Sequence, residues 1–199
     1  MRSSLVLAVL LSACVPDADA DNTTPDPAPG AAESPAADVA PPATTEIGHD
    51  WSNQSIPQQK GTFHVVFALV PDEPSGAPID AVVGLSDGSA TDFADLGPTV
   101  RFSSAGTLDV RNGSAYESDV AVQYRTGQTY QIWMDIDVTR HRYSVLVQEN
   151  GGHTTRIAAN YAFPTEQSAL AQVNNIARRV NSPTGTLQQI AADVTTDSP

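Results

Sequence analysis

From Ile47 onward, turn-forming pairs and triplets break the chain into short alternating runs about every 8 to 12 residues. That spacing suits a β-sandwich or barrel and leaves little length for crossover helices. The run "TFHVVFALV" puts Phe63, Val65, Phe67 and Leu69 on one face, and Val66, Ala68 and Val70 make the other face apolar as well. It is therefore expected to be a central strand covered on both sides. Further strands are expected at "IDAVVGL", "TVRF", "TLDVR", "AYESDVAVQY", "TYQIWMDIDV", "RYSVLVQ", "TTRIAANYAF", "VNNIARRV" and "TLQQIAADV". The stretches "SATDFADL" and "TEQSALAQ" are short enough for helical turns and no more. The chain reads as an all-β protein with an antiparallel β-sandwich over residues 46–195 and a tail at 196–199.

One hairpin can be registered from sequence. If Ser104, Ala105 and Gly106 form a three-residue loop with Gly106 left-handed, Phe102 faces Leu108 and Val100 faces Val110 on the core side. Arg101 then faces Asp109 on the other side as a cross-strand pair of opposite charge, and a slip of one residue would bury both charges.

The residues "VVGLSDGSATDF", "VRFSSAGTLDVRNGSAY", "QTYQIWMDIDVTRHRYSVLV" and "YAFPTEQSAL" give the stretch from Gly61 to about Phe163 its family look. It resembles the concanavalin-like (laminin-G-like) jelly-roll domains of secreted proteins. Such a resemblance implies a jelly roll, and often a domain appended to polysaccharide-degrading enzymes that binds glycans and does not cleave them.

The chain opens "MRSSLVLAVLLSACV", with Arg2 before an apolar core too short to span a bilayer and of the right length for a signal peptide. Leu11-Ser12-Ala13-Cys14 resembles the lipobox of bacterial lipoproteins. That resemblance implies a signal peptide at 1–13, cut before Cys14, and a lipidated Cys14 at the mature N-terminus; the alternative is an ordinary signal peptide that contains a cysteine. Cys14 is the chain's one cysteine, so no disulfide is expected. Residues 15–45 carry no aromatic and no basic residue, so 14–45 is expected to be a disordered Ala/Pro/Asp-rich tether. Val15, where many Gram-negative lipoproteins retained in the inner membrane carry an aspartate, points to the outer membrane if the organism has one, facing the periplasm or the exterior.

Ten Lys and Arg against 23 Asp and Glu give a formal net charge of −13. A chain this acidic has no basic footprint for nucleic acid and no electrostatic hold on anionic lipid. The expected partners are thus the membrane, through the N-terminal lipid, and a glycan or an envelope protein.

Gly84-Leu85-Ser86-Asp87-Gly88 matches G-x-S-x-G, but a nucleophile elbow needs a long helix in a parallel sheet, and Gly88 and Gly97-Pro98 forbid one here. Ser86 is expected to lie in a turn. The nearest approach to the E-x-D-x-E strand of jelly-roll glucanases is Asp135-Ile136-Asp137, without a flanking glutamate. No catalytic residue is assigned and the chain is expected not to be an enzyme; a divergent polysaccharide-active or serine hydrolase is the minor alternative. No cofactor is expected. Asp87 and Asp92 are weak calcium candidates whose spacing departs from calcium loops, and the four histidines are too scattered for zinc.

The strand "YQIWMDIDV" turns Tyr130, Ile132, Met134, Ile136 and Val138 to the core and leaves Gln131, Trp133, Asp135 and Asp137 on the wetter face. An aromatic ring beside carboxylates and an amide suits a sugar, so Trp133, Asp135 and Asp137 are candidate ligand residues. Arg101, Asp109 and Arg111 would join them if that face is concave. The alternative is that Trp133 packs under a long loop or against the segment containing Trp51. The sequence thus reads as a lipid-anchored, extracytoplasmic binding domain for carbohydrate, with a structural or protein-interaction lipoprotein as the competing reading.

Overall fold

A computed structural model of the chain describes residues 44–196. Within them lie twelve strands: β1 (Thr45–Ile47), β2 (Ser52–Gln59), β3 (Thr62–Asp72), β4 (Ala81–Ser86), β5 (Thr99–Phe102), β6 (Thr107–Asn112), β7 (Ala115–Gln123), β8 (Tyr130–Asp137), β9 (Arg142–Glu149), β10 (Thr154–Ala162), β11 (Val173–Val180) and β12 (Thr186–Thr196). They form two antiparallel six-stranded sheets, a first sheet in the order β1-β12-β3-β8-β9-β10 and a second in the order β2-β11-β4-β5-β6-β7. Both helical-turn stretches yield single 3-10 turns, at Phe93–Asp95 and Thr165–Gln167.

The inner faces meet in one core. Phe63, Val65, Phe67 and Leu69 of β3 and Tyr130, Ile132, Met134 and Ile136 of β8 face Val83, Leu85, Val100, Phe102, Leu108 and Val110 of the second sheet. Burying each large apolar side chain contributes roughly 1.5–3 kcal/mol, and this layer dominates the stability. Phe102 meets Tyr124 and Tyr130 edge-on at 5.1 and 5.8 Å between centroids, the geometry that aromatic quadrupoles favour. Tyr143 crosses from β9 to the other sheet. Its hydroxyl accepts from the Thr99 N–H at 3.2 Å and donates to the Arg111 carbonyl, so the two layers are tied by directed bonds as well as by packing.

The 102–108 hairpin has the register that its charges demand. Val100 pairs with Val110, Arg101 with Asp109 and Phe102 with Leu108, and Gly106 sits at φ 80°. Strand β3 is central, third of six, but covered on one face only. Its outward residues His64, Val66, Ala68 and Val70 are half-exposed, with Trp133 of β8 and Asp193 of β12 alongside Val66. An apolar outer face here reflects side chains leaning on their neighbours, not a third layer. Strands β1 and β2 carry no alternating apolar signal. β2 is polar and holds Pro57, which an edge strand tolerates because one side of its ladder is unpaired.

Candidate functional site

Three strands place the candidate side chains on the outer face of the first sheet. In register across it, Val66, Trp133 and Leu146 form one row; His64, Asp135 and Ser144 form the next; Ala68, Gln131 and Gln148 form the row on the other side. Trp133 is half-buried between two apolar neighbours and flanked by hydrogen-bonding groups both above and below along β8. His64 Nδ1 and Asp135 Oδ1 are 2.6 Å apart, and both side chains are partly exposed. With Asp137, Arg142, Ser144 and Asn160 they line an open depression of roughly 230 Å³. Asp137 accepts from the Arg140 backbone N–H at 2.9 Å and from its guanidinium at 3.0 Å. Asn160, at φ 57° in the irregular part of β10, donates its backbone N–H to Ser144 Oγ at 3.0 Å.

Arg101, Asp109 and Arg111 lie on the outer face of the second sheet, on the far side of the core from Trp133. The six residues therefore divide into two sites, because β5 and β6 pair in the second sheet and β8 in the first. Arg101 donates Nε–H and Nη2–H to Asp109 Oδ1 and Oδ2 at 2.9 and 2.6 Å, and its guanidinium carbon stands 4.1 Å from the centroid of the Tyr116 ring. The bonded carboxylate raises the Arg101 pKa above its ordinary value, and burial raises that of Tyr116. Arg111 donates to the Phe93 carbonyl at 3.1 Å and to Glu166 at 3.2 Å. Trp51 also belongs to this side, edge-on to Phe93 at 5.2 Å, so it is not what Trp133 packs against.

Ser86 is the last residue of β4, 1% exposed, and the turn begins after it. Its hydroxyl donates to the Gly88 carbonyl at 2.7 Å and accepts from Asn175 Nδ2 at 3.0 Å. Asp87 accepts from the Gln172 and Asn174 side-chain amides. Asp92 caps the 3-10 turn at 93–95, accepting from the Ala94 N–H at 2.9 Å. Asp95 closes the cap from the other end, and the backbone N–H groups of Thr91 and Asp92 lower its pKa. Among the described residues, no three His, Cys, Asp or Glu side chains cluster with metal-site geometry. Cys14, the expected signal peptide and all but the last two residues of the expected tether lie outside the described residues.

His64, Arg142 and Ser144 were not singled out from sequence. The period of β3 turns His64 outward, and the β8–β9 hairpin, closed by Asp137 opposite Arg142, brings Ser144 to Asp135. The pairing of β3 with β8 joins residues some seventy apart, and no local pattern announces it.

No family model matches the chain. A stretch of 121 residues, 59% of the chain, is 31% identical to part of a gellan lyase from Bacillus sp, and covers 5% of that protein's length. Among solved structures, the chain is similar to a sialidase at TM-score 0.52 and 14% identity, over 78% of this chain and 15% of that one. It is also similar to the basic winged bean lectin at TM-score 0.51 and 10% identity, over 79% of this chain and 99% of that one. At these identities the structural likeness shows the fold, a concanavalin-like jelly roll.

The expectation that the chain is not an enzyme is corrected by the gellan lyase match. That expectation tested a serine nucleophile and a glycosidase carboxylate pair. Eliminative cleavage of a polysaccharide requires neither, only a base and a group that stabilises developing charge, so the missing motifs do not bear on it.

Proposed function

We propose that this chain is a polysaccharide-recognising β-sandwich that works in polysaccharide breakdown, with the sugar resting on Trp133. One observation carries the reading: Trp133 stands half-buried in the middle of an outer sheet face, held between Val66 and Leu146, with the His64–Asp135–Ser144 row on one side and Gln131 and Gln148 on the other. A ring fixed in this way presents a flat surface to pyranose C–H groups, while the flanking rows reach the hydroxyls. The match to a stretch of gellan lyase supports polysaccharide as the ligand class. The reading places the domain at the cell envelope, anchored through a lipidated Cys14, as the lipobox-like N-terminus implies.

A second reading, that the same face also cleaves its glycan, is favoured by the 2.6 Å contact of His64 with Asp135. A carboxylate at Nδ1 orients the imidazole, which in its neutral form suits uptake of the proton that an elimination removes.

The test is titration of the full chain against a polysaccharide panel that includes gellan, with and without calcium, beside Trp133→Ala. Saturable binding that falls at least about tenfold in the variant is expected. A folded Trp133→Ala protein that binds every glycan of the panel as tightly as wild type, or no binding to any glycan, sinks the proposal and favours an envelope-protein partner. Release of unsaturated products that His64→Gln abolishes, with binding retained, would establish the second reading.

A further inference from the structure

The outer face of the second sheet holds a depression of roughly 290 Å³ that the Trp133 site does not touch. Its floor is Val82 and Arg101, which are cross-strand partners on β4 and β5. Phe93, from the β4–β5 connection, Ser114 and Tyr116, from the β6–β7 hairpin, and Asp80 and Asn181 also line it. Two arginines, Arg101 and Arg111, are part of this lining.

Both are fixed before any ligand arrives. Arg101 is clasped by Asp109 and stacked on Tyr116, and Arg111 is tied to the Phe93 carbonyl and Glu166. Each of these sets of bonds uses two of the five N–H groups a guanidinium carries, leaving three on each arginine. Immobilised N–H donors are what a carboxylate selects, since it can accept two at once without ordering the side chains first. The opposite polarity is also present: Asp80, whose Oδ2 has the Asn181 amide only at 3.4 Å, lines the same depression as an acceptor for a hydroxyl. The ligand class that meets guanidinium donors, a carboxylate acceptor and two aromatic rings within one depression is a pyranose bearing a carboxylate.

We propose that this depression is a second saccharide site, selective for uronate sugars and independent of the Trp133 face. The full chain is titrated with polygalacturonate, with its methyl ester, which keeps the backbone and removes the charge, and with neutral dextran. Polygalacturonate is expected to bind at least about tenfold more tightly than either of the others, the scale of one lost charge-assisted pair. Arg111→Gln, and separately Ser114→Glu at the exposed hairpin tip, should each weaken polygalacturonate by about tenfold, while Trp133→Ala leaves it within about twofold. The glutamate adds a repelling carboxylate without removing a structural bond, so its effect does not depend on how well the glutamine variant folds. Ester and acid binding alike, no binding of polygalacturonate, wild-type affinity in both depression variants, or loss of polygalacturonate binding in Trp133→Ala would each overturn the proposal. The last result would assign the uronate to the first sheet and leave the Trp133 reading standing.

Discussion

Arg101 and Asp109 face each other across β5 and β6 and close a two-pronged ion pair, Nε to Oδ1 at 2.9 Å and Nη2 to Oδ2 at 2.6 Å. Asp109 is 9% exposed, so its carboxylate relies on this arginine in place of water. Removing the partner leaves a buried anion, which costs more than the pair itself contributes. Arg101→Ala should therefore destabilise the domain by roughly 2 kcal/mol, and Asp109→Asn by less. Urea unfolding of both single variants and the double variant measures this. A double variant less stable than Arg101→Ala would show that the buried charge is not the cause.

Gly84 explains the first glycine of the elbow-like motif. A Cβ there would stand 2.9 Å from Thr99 Oγ1, 3.0 Å from the Pro98 carbonyl and 3.2 Å from Leu96 Cδ1, because the β4–β5 connection folds back over the sheet at this point. Gly84→Ala should cost roughly 1–3 kcal/mol and loosen the segment that carries Phe93. Ser86→Ala, which loses one hydroxyl and its bonds to Gly88 and Asn175, should cost about 1 kcal/mol and leave glycan binding unchanged. Amide exchange in the 87–98 connection distinguishes the two: faster in the glycine variant, close to wild type in the serine variant.

The proposed lipid anchor has a direct test. A lipidated Cys14 carries the chain into the membrane fraction of a bacterial host, and Cys14→Ser, which removes the acylated thiol, should release it from that fraction. A serine variant that still sediments with membranes would point to a different attachment.

The strand list was legible because burial on one face writes a period of two into "TFHVVFALV" and "YQIWMDIDV". The 102–108 register was legible because Gly106, Arg101 and Asp109 permit only one alignment. What could not be read was sheet membership. Arg101 and Trp133 each lie on an outward face, and only pairing between distant strands decides that the faces are opposite ones. β2 was missed for a related reason: an edge strand with one flank in solvent needs no apolar alternation to be stable. The apolar outer face of β3 was over-read as covered, since Val66 gains its shelter from Trp133 beside it rather than from a layer above.

Alkaline pH should unfold the domain early. The chain has five tyrosines, and burial is the leading cause raising the pKa of every one: Tyr116, Tyr124, Tyr130, Tyr143 and Tyr161, the last pushed up to about 12. In the unfolded chain they ionise near pH 10 or so. Above that pH the unfolded state has released protons the folded state still holds, so stability present below pH 10 or so is lost as the pH rises toward the folded values. Arg178 acts the other way. It is 1% exposed, and burial lowers its pKa to about 10, so between there and its higher ordinary value rising pH relieves a buried charge. One arginine opposes five tyrosines, and the net slope is downward. The urea midpoint should hold steady up to about pH 9 and fall steadily above about pH 10, while tyrosinate absorbance of the folded protein lags behind that of the unfolded chain. Tyr143→Phe removes one raised group and should flatten the decline even though it lowers stability at neutral pH by roughly 1–2 kcal/mol. Tyrosines that titrate in the folded protein at their ordinary value would contradict the burial on which the argument rests.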